Sequence, residues 1–373
     1  MQKVFVLPQL HSYIICVLTA MLLSSSACTQ KRVESELLNT QTSKNDYSQQ
    51  IRLKNLSSEV RSNPENPVGF FKRSVLYLEL SELENARNDI KSALFLDSTK
   101  GEYFVTAAQI YRKLKRIDSG LYCINRAKRL GYSSPGMLVS SGEMLFILRQ
   151  YDRAIADLNA ALEISPTNPE AYFYKGLVYG ERGDTALAVS TLLTSIEQSP
   201  EFIDAYNKLS SIYIRQHQYP TAKSLLKSGL RFAPNDAYLN YNMGIIYIDT
   251  KATDSALAYF KKAIFFDPTL YLANTNLGLN AYKNRQYLEA VNYFEEALQI
   301  EKRQPDARFY LALCRENLGS ADEAIRNYQE VIRLGKPFAK DAEAGIARIQ
   351  QRIARQQRAI TASDSAEALQ ADE

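Results

Sequence analysis

Cysteine and histidine are scarce in this chain, and their positions limit what they can do. The cysteines are Cys16, Cys28, Cys123 and Cys314, and the histidines are His11 and His217. A protein metal site gathers such ligands at short, regular spacings. No cysteine or histidine stands at metal spacing from His217. The sequence holds no phosphate-cradling glycine loop, no Gly-x-Ser-x-Gly elbow and no calcium loop. Adjacent carboxylates such as Glu295 and Glu296 are two among 41 acidic residues, so their pairing signals no acid and base division of labour. Aromatic and charged surface groups remain, and their chemistry is recognition.

The charged candidate is a basic cluster of Arg112, Lys113, Lys115, Arg116, Arg126, Lys128 and Arg129, opposed within its own stretch only by Asp118. It could meet anionic headgroups, peptidoglycan or an acidic protein patch, or it could be the solvated face of two helices. The net charge of the whole chain is only +4. A nucleic-acid role would need a stronger and more continuous basic field.

The elements that must position these groups follow from one period. Residues 67–338 divide into eight consecutive blocks of 34 (67–100, 101–134, 135–168, 169–202, 203–236, 237–270, 271–304 and 305–338) without insertion or gap. Position 20 is Ala86, Gly120, Ala154, Ala188, Ala222, Ala256, Ala290 or Ala324, and position 8 is equally small throughout. Position 24 is always large and apolar, from Ile90 to Tyr328, and position 27 is small or β-branched. Small residues facing bulky ones let two antiparallel helices approach and interlock. Pro166, Pro200, Pro234 and Pro268 at position 32 stop the second helix. Each block therefore reads as helix A, a turn around positions 15 to 17, and helix B. A period of this length implies a repeat architecture that builds a long surface.

The run Ala171, Tyr172, Gly176, Tyr179, Gly183, Ala188, Leu192 and Pro200 resembles the tetratricopeptide repeat. Blocks 3 to 7 are close copies, while Ser98, Tyr132 and Lys336 stand where blocks 1, 2 and 8 would carry the proline. No block has the family's frequent tryptophan at position 4. The resemblance implies an all-α fold, an α-α superhelix of eight helix-turn-helix repeats, non-catalytic and without a cofactor or metal. It also implies a concave groove lined by helix A positions 2, 5, 9, 12 and 13. Carried onto this sequence, those positions place Phe71, Phe146, Phe173, Tyr238, Tyr241, Tyr282 and Phe309 along an aromatic strip, interrupted by Glu181, Asp204, Asn207, Arg215 and Asp249. Such a strip suits an amphipathic helix or an extended peptide; the same rings could instead pack between repeats. The lysine and asparagine pattern with which some members clamp a terminal carboxylate is missing, since Asn207 stands alone and position 5 holds no lysine.

Ahead of the repeats, residues 13–23 are apolar but too few to span a bilayer, as in a signal peptide. The Ser-Ser-Ser-Ala-Cys that follows resembles the lipobox of bacterial lipoproteins, with Cys28 acylated and 1–27 removed, although Ser25 replaces the usual leucine. Ordinary cleavage after Ala27 is the alternative. Stable anchoring takes two or more acyl chains. Residues 28–46 then read as a flexible tether, 47–66 as a capping helix carrying Ile51, Leu53, Leu56 and Val60, and 339–360 as a terminal cap with the stripe Ala342, Ile346, Ile349 and Ile353. Residues 361–373 read as a disordered acidic tail. Cys123 and Cys314 lie six repeats apart, too far for a disulfide, which needs Cα atoms within about 7 Å. Outside the repeats too few residues remain for a catalytic domain.

The expected protein is a lipid-anchored scaffold or adaptor for protein or peptide partners in a bacterial envelope complex, at the outer membrane and facing the periplasm. An exported chain would not meet nucleic acid. The rival is a glycan-binding lipoprotein of the nutrient-uptake type; it fits less well because such proteins add a large irregular domain and this chain has no tryptophan for sugar stacking. An intracellular co-chaperone would contradict the signal peptide.

Overall fold

The computed structural model describes residues 47–335 and 337–371, with side chains up to 362. The expectations for the signal peptide 1–27, for Cys28 and for the tether 28–46 lie outside the described residues. Eighteen helices and no strand occur among those described. The chain divides into two compact units, Met1–Ile164 and Ser165–Glu373.

The first unit opens with a helix over residues 47–62, α1. Three antiparallel pairs follow: α2 (Pro67–Glu79) with α3 (Leu83–Leu96), α4 (Gly101–Lys113) with α5 (Ile117–Arg129), and α6 (Pro135–Ile147) with α7 (Tyr151–Ile164). The α1 helix docks through Val60, which is buried, and Leu53 and Leu56, which are half-buried, whereas Ile51 stays 43% exposed. Ser57 of α1 accepts a hydrogen bond from Arg73 at 3.3 Å.

The second unit holds five pairs. They are α8 (Pro169–Arg182) with α9 (Thr185–Gln198), α10 (Ile203–Arg215) with α11 (Tyr219–Phe232), α12 (Ala237–Asp249) with α13 (Thr253–Phe266), α14 (Tyr271–Lys283) with α15 (Tyr287–Ile300), and α16 (Pro305–Asn317) with α17 (Ala321–Leu334). A long final helix, α18 (Ala339–Ala371), closes it.

In the first, third, fourth and eighth blocks proline stands at the first helical residue, where its missing N–H costs nothing. Asn66, Ser134, Asn168 and Asp236 cap their helices by accepting a backbone N–H of the first turn. Helix B stops at position 30 in seven blocks and at position 29 in α5. Where proline follows at position 32, the residue before it is steered out of the helical region.

Packing follows the period. Position 20 is buried in every block, and every position 24 side chain, from Ile90 to Tyr328, is at most 1% exposed. Four of the position 8 residues are glycines because position 24 of the same block leaves no room for a Cβ. One built on Gly142, Gly176, Gly244 or Gly278 would stand 2.5 to 2.8 Å from Leu158, Leu192, Phe260 or Phe294. Burying each of those side chains contributes roughly 1.5 to 3 kcal/mol.

The A-to-B turn is the same eight times. The position 16 N–H donates to the position 11 carbonyl at 2.8 to 2.9 Å, from Glu82 on Tyr77 to Ser320 on Arg315. This closes a Schellman-type cap and puts position 15 in the left-handed region. Gly183 and Gly319 suit that conformation, but Ser81, Lys115, Arg149, His217, Lys251 and Arg285 also adopt it, with φ between 57° and 61°.

One sequence expectation changes. The terminal helix does not stop at 360 but runs to Ala371; after Gly345 the segment contains neither glycine nor proline and is rich in alanine, glutamine and arginine, all good helix formers. Its inner stripe is as expected, with Ala342 and Ile349 buried and Ile346 and Ile353 packed against them. Cys123 and Cys314 are buried free thiols in α5 and α16.

Candidate recognition surface

Helix A supplies the residues not consumed by packing between A and B. In the first unit the Phe71 ring lies 4.6 Å from Tyr103, and Phe146 lies 6.3 Å from Tyr151. In the second unit Phe173 meets Tyr174 and Phe202 edge-on, each at 5.3 Å. Tyr282 sits between Tyr287 and Tyr310, and Phe309 stacks on Phe338 at 5.0 Å. Tyr241 packs against Phe260, and its hydroxyl accepts a 3.4 Å hydrogen bond from Asn276. Burial pushes that hydroxyl up to about 12.

The rings expected along helix A thus differ in exposure. Phe71, Phe146, Phe173, Tyr241, Tyr282 and Phe309 are half-buried and each meets another ring, and the Tyr241 hydroxyl is engaged by Asn276. Neighbouring repeats bring rings of adjacent blocks together, and a ring loses more water contact there than on an open face. Tyr238, at 51% exposure, is the one ring of the set that stands out from the surface.

The polar members behave differently. Asp204, Arg215 and Asp249 are exposed. Desolvation, then the nearby Asp236, raises the Asp204 carboxyl above its ordinary range. Asn207 donates to Asp236 at 3.2 Å, while its buried carbonyl oxygen has no partner among the described residues. Asp249 accepts from the Tyr219 hydroxyl, which lies 2.6 Å from Nδ1 of the exposed His217. Position 2, 5, 9, 12 and 13 side chains thus differ in character from block to block, while positions 8, 20, 24 and 27 repeat.

Two of the seven cations in the basic cluster are paired by the next repeat. Arg112 pairs with Glu143 and Lys128 with Asp157, both at 2.6 Å, and Arg126 lies over the Phe104 ring at 5.7 Å. Counting charges along the sequence missed these partners because they stand 29 and 31 residues away, one repeat on. Lys113, Lys115, Arg116 and Arg129 remain exposed.

Two cavities open beside helix A. In the first unit Phe71 and Val75 of α2 face Arg52, Asn55 and Leu56 of α1 across about 400 Å³. In the second, α8, α9 and α10 enclose about 290 Å³ between Gly180, Thr185, Lys208 and Arg215. Lys208, Thr185 and Gln216 were not singled out by the sequence; the available signal was a glycine at position 12, where the other blocks carry large side chains. Among the described residues no group of three or more His, Cys, Asp or Glu could hold a metal, and no helix is long and apolar enough to cross a membrane.

Three family models match parts of the chain: one described as TPR repeat over residues 142–183, and two described as tetratricopeptide repeat over 237–269 and 275–342. No curated protein matches. Among solved structures, the APC/C hetero-tetramer Cut9-Hcn1 aligns with a TM-score of 0.56 at 14% identity, over 80% of this chain and 58% of that one. The pilF protein of Pseudomonas aeruginosa aligns with a TM-score of 0.52 at 17% identity, over 58% of this chain and 97% of that one. A human IFIT1 dimer with PPP-AAAA gives 0.51 at 16% identity, over 78% and 69%. At these identities the likeness is one of fold.

Proposed function

We propose that this chain, which carries tetratricopeptide repeats over residues 142–183, 237–269 and 275–342, is a lipid-anchored, non-catalytic adaptor that docks a protein or peptide partner of a bacterial envelope complex on its helix A faces. The observation that carries the docking reading is the division of labour inside the repeat. Positions 8, 20, 24 and 27 hold the same kinds of residue in all eight blocks and are buried. Position 13, by contrast, is Glu79, Lys113, Ile147, Glu181, Arg215, Asp249, Lys283 or Asn317. Packing needs uniform residues, whereas reading a partner needs a particular residue at each place. The anchor is read from the short apolar run at 13–23 and the small residues before Cys28. On this reading the protein sits at the outer membrane with its repeats in the periplasm.

A photo-crosslinking residue in place of Tyr238, on helix A, should trap a discrete partner in cells. The same residue in place of Phe95, 89% exposed on helix B, should not. Equal trapping at both sites would remove helix A as the docking face. In parallel, Cys28→Ser should move the protein from the membrane fraction to the soluble one, and an unchanged distribution would remove the anchor.

A further inference from the structure

Gly180 of α8 has no packing reason to be a glycine. Gly176 needs to be one, because a Cβ there would meet Leu192 Cγ at 2.7 Å; a Cβ on Gly180 would meet only the Ala188 Cβ, at 3.8 Å. A glycine inside a helix weakens it, since the unfolded chain gains freedom and no side chain packs in return. In the four following repeats the same position carries Ile214, Ile248, Tyr282 and Glu316. The missing side chain leaves the cavity of about 290 Å³ bounded by α8, α9 and α10.

The lining is chemically uneven. Its apolar part is Ala188 and Ile212, both buried. Its polar part carries Lys208 and Arg215 against one carboxylate, Glu181, with Thr185 and Gln216 beside them. Among the described residues neither Lys208 nor Arg215 has an ion-pair partner. Elsewhere in the chain Arg73, Arg112, Lys128, Arg315 and Arg348 all have one. An ammonium and a guanidinium facing the same gap favour an oxyanion, which the guanidinium can grip through two parallel hydrogen bonds.

We propose that the gap left by Gly180 receives a carboxylate side chain, aspartate or glutamate, of a peptide docked on helix A. Lys208 and Arg215 hold the carboxylate, and the methylene part of the side chain lies against Ala188 and Ile212. The apolar lining selects against a free hydrated anion, which would have nothing to bury there. The inference rests on the docking reading above and names the chemistry that this part of the surface recognises.

The test is selection from a displayed library of random dodecapeptides by the wild-type chain and by three variants. Gly180→Ala keeps the gap open, Gly180→Ile fills it with the residue found at the same position of the next two repeats, and Lys208→Gln with Arg215→Gln removes the cations. Circular dichroism verifies that each variant keeps its helicity. Wild type and Gly180→Ala should enrich peptides with an acidic residue at a fixed place, and the other two variants should lose that preference. Replacing the acid by its amide in a selected peptide should weaken wild-type binding at least tenfold and leave Gly180→Ile binding unchanged. Inorganic phosphate should not compete at concentrations where the peptide saturates. Peptides enriched without an acid, an acid preference that survives Gly180→Ile, or displacement by phosphate would overturn the inference while leaving the docking reading standing. Enrichment of no peptide by the wild type would overturn both.

Discussion

Gly176 and Leu192 approach so closely that a Cβ on the glycine would lie 2.7 Å from the leucine Cγ and 2.9 Å from one of its methyls. The atom in the way is the branch point of a fully buried side chain, which cannot swing aside as a chain end could. Gly176→Ala is therefore expected to cost about 1 to 3 kcal/mol by overpacking, against the roughly 1 kcal/mol that alanine gains in helix propensity. Gly180→Ala, one turn on, is expected to stabilise by up to about 1 kcal/mol, because that position has space. Urea denaturation of the two variants should show opposite signs.

Position 20 offers the complementary test. Ala188 is wholly buried, with its backbone carbonyl against Gly176. Ala188→Leu should lower stability by about 1 to 3 kcal/mol, and a melting temperature equal to wild type would contradict the register of the repeat.

The turn at position 15 is a further source of strain. An ordinary residue in the left-handed conformation costs about 1 to 2 kcal/mol relative to the right-handed one, part of which glycine recovers. Lys251 sits there with φ of 61°, exposed and without a side-chain contact that glycine would lose. Lys251→Gly is expected to stabilise by roughly 0.5 to 1 kcal/mol, and Gly183→Ala to destabilise by about as much. Thermal melts of both variants measure this, and a destabilised Lys251→Gly would show that the turn is not strained.

The period made most of the fold legible, because the small residue at position 8 and the bulky one at position 24 must face each other in any pair of close helices. The left-handed turn was visible only where glycine occupies it, at Gly183 and Gly319. In the other six blocks the Schellman hydrogen bonds impose the conformation on residues such as His217 whose type does not announce it. Side-chain pairings between repeats were hidden for a related reason. Arg112 and Glu143, or Tyr282 and Tyr310, come together only when one block is laid on the next, and a sequence window of a few residues does not contain both partners. The recognition surface was accordingly the least legible part, with the rings left open between a strip and packing between repeats and the gap at Gly180 left unread.

The pair formed by half-buried Arg73 and buried Asp89 should behave as a unit. Two hydrogen bonds of 2.6 and 2.8 Å join them, with side-chain exposures of 17% and 8%. Asp89→Ala leaves the half-buried guanidinium without its counter-ion and is expected to cost about 1 to 3 kcal/mol. Changing Arg73→Met and Asp89→Leu together should cost markedly less than the two single changes added. A double-mutant cycle on denaturation free energies decides this, and simple additivity would mean that the pair carries no coupling.

Cys123 and Cys314 give the molecule an alkaline limit. Burial pushes their thiols up to about 11 and about 12. The folded state thus holds these protons more tightly than the unfolded chain, where a thiol ionises near about 8.5. Their contribution is fully present below that value and is lost as pH rises toward the folded values, at up to about 1.4 kcal/mol per pH unit for each thiol. The urea midpoint of the wild type should fall more steeply between about pH 9 and 11 than that of Cys123→Ala with Cys314→Ala. Parallel curves would rule the thiols out.

The final helix meets the last repeat at Tyr328 and Glu316. Tyr328, fully buried at position 24 of the last block, donates a 2.7 Å hydrogen bond to Glu316. Arg348 of α18 reaches the same carboxylate at 3.1 and 3.3 Å from a half-exposed position. Gly345 of α18 lies flat on the Tyr328 ring, with no room for a Cβ. A hydrogen bond from a buried hydroxyl to a charged acceptor contributes about 1.5 to 3 kcal/mol, whereas an exposed pair contributes about 0 to 1. Tyr328→Phe should therefore destabilise the protein more than Arg348→Ala, and hydrogen exchange should show the amides around Ile349 losing protection in the tyrosine variant first. If Arg348→Ala frees α18 while Tyr328→Phe leaves it protected, the exposed pair, and not the buried hydroxyl, anchors the helix.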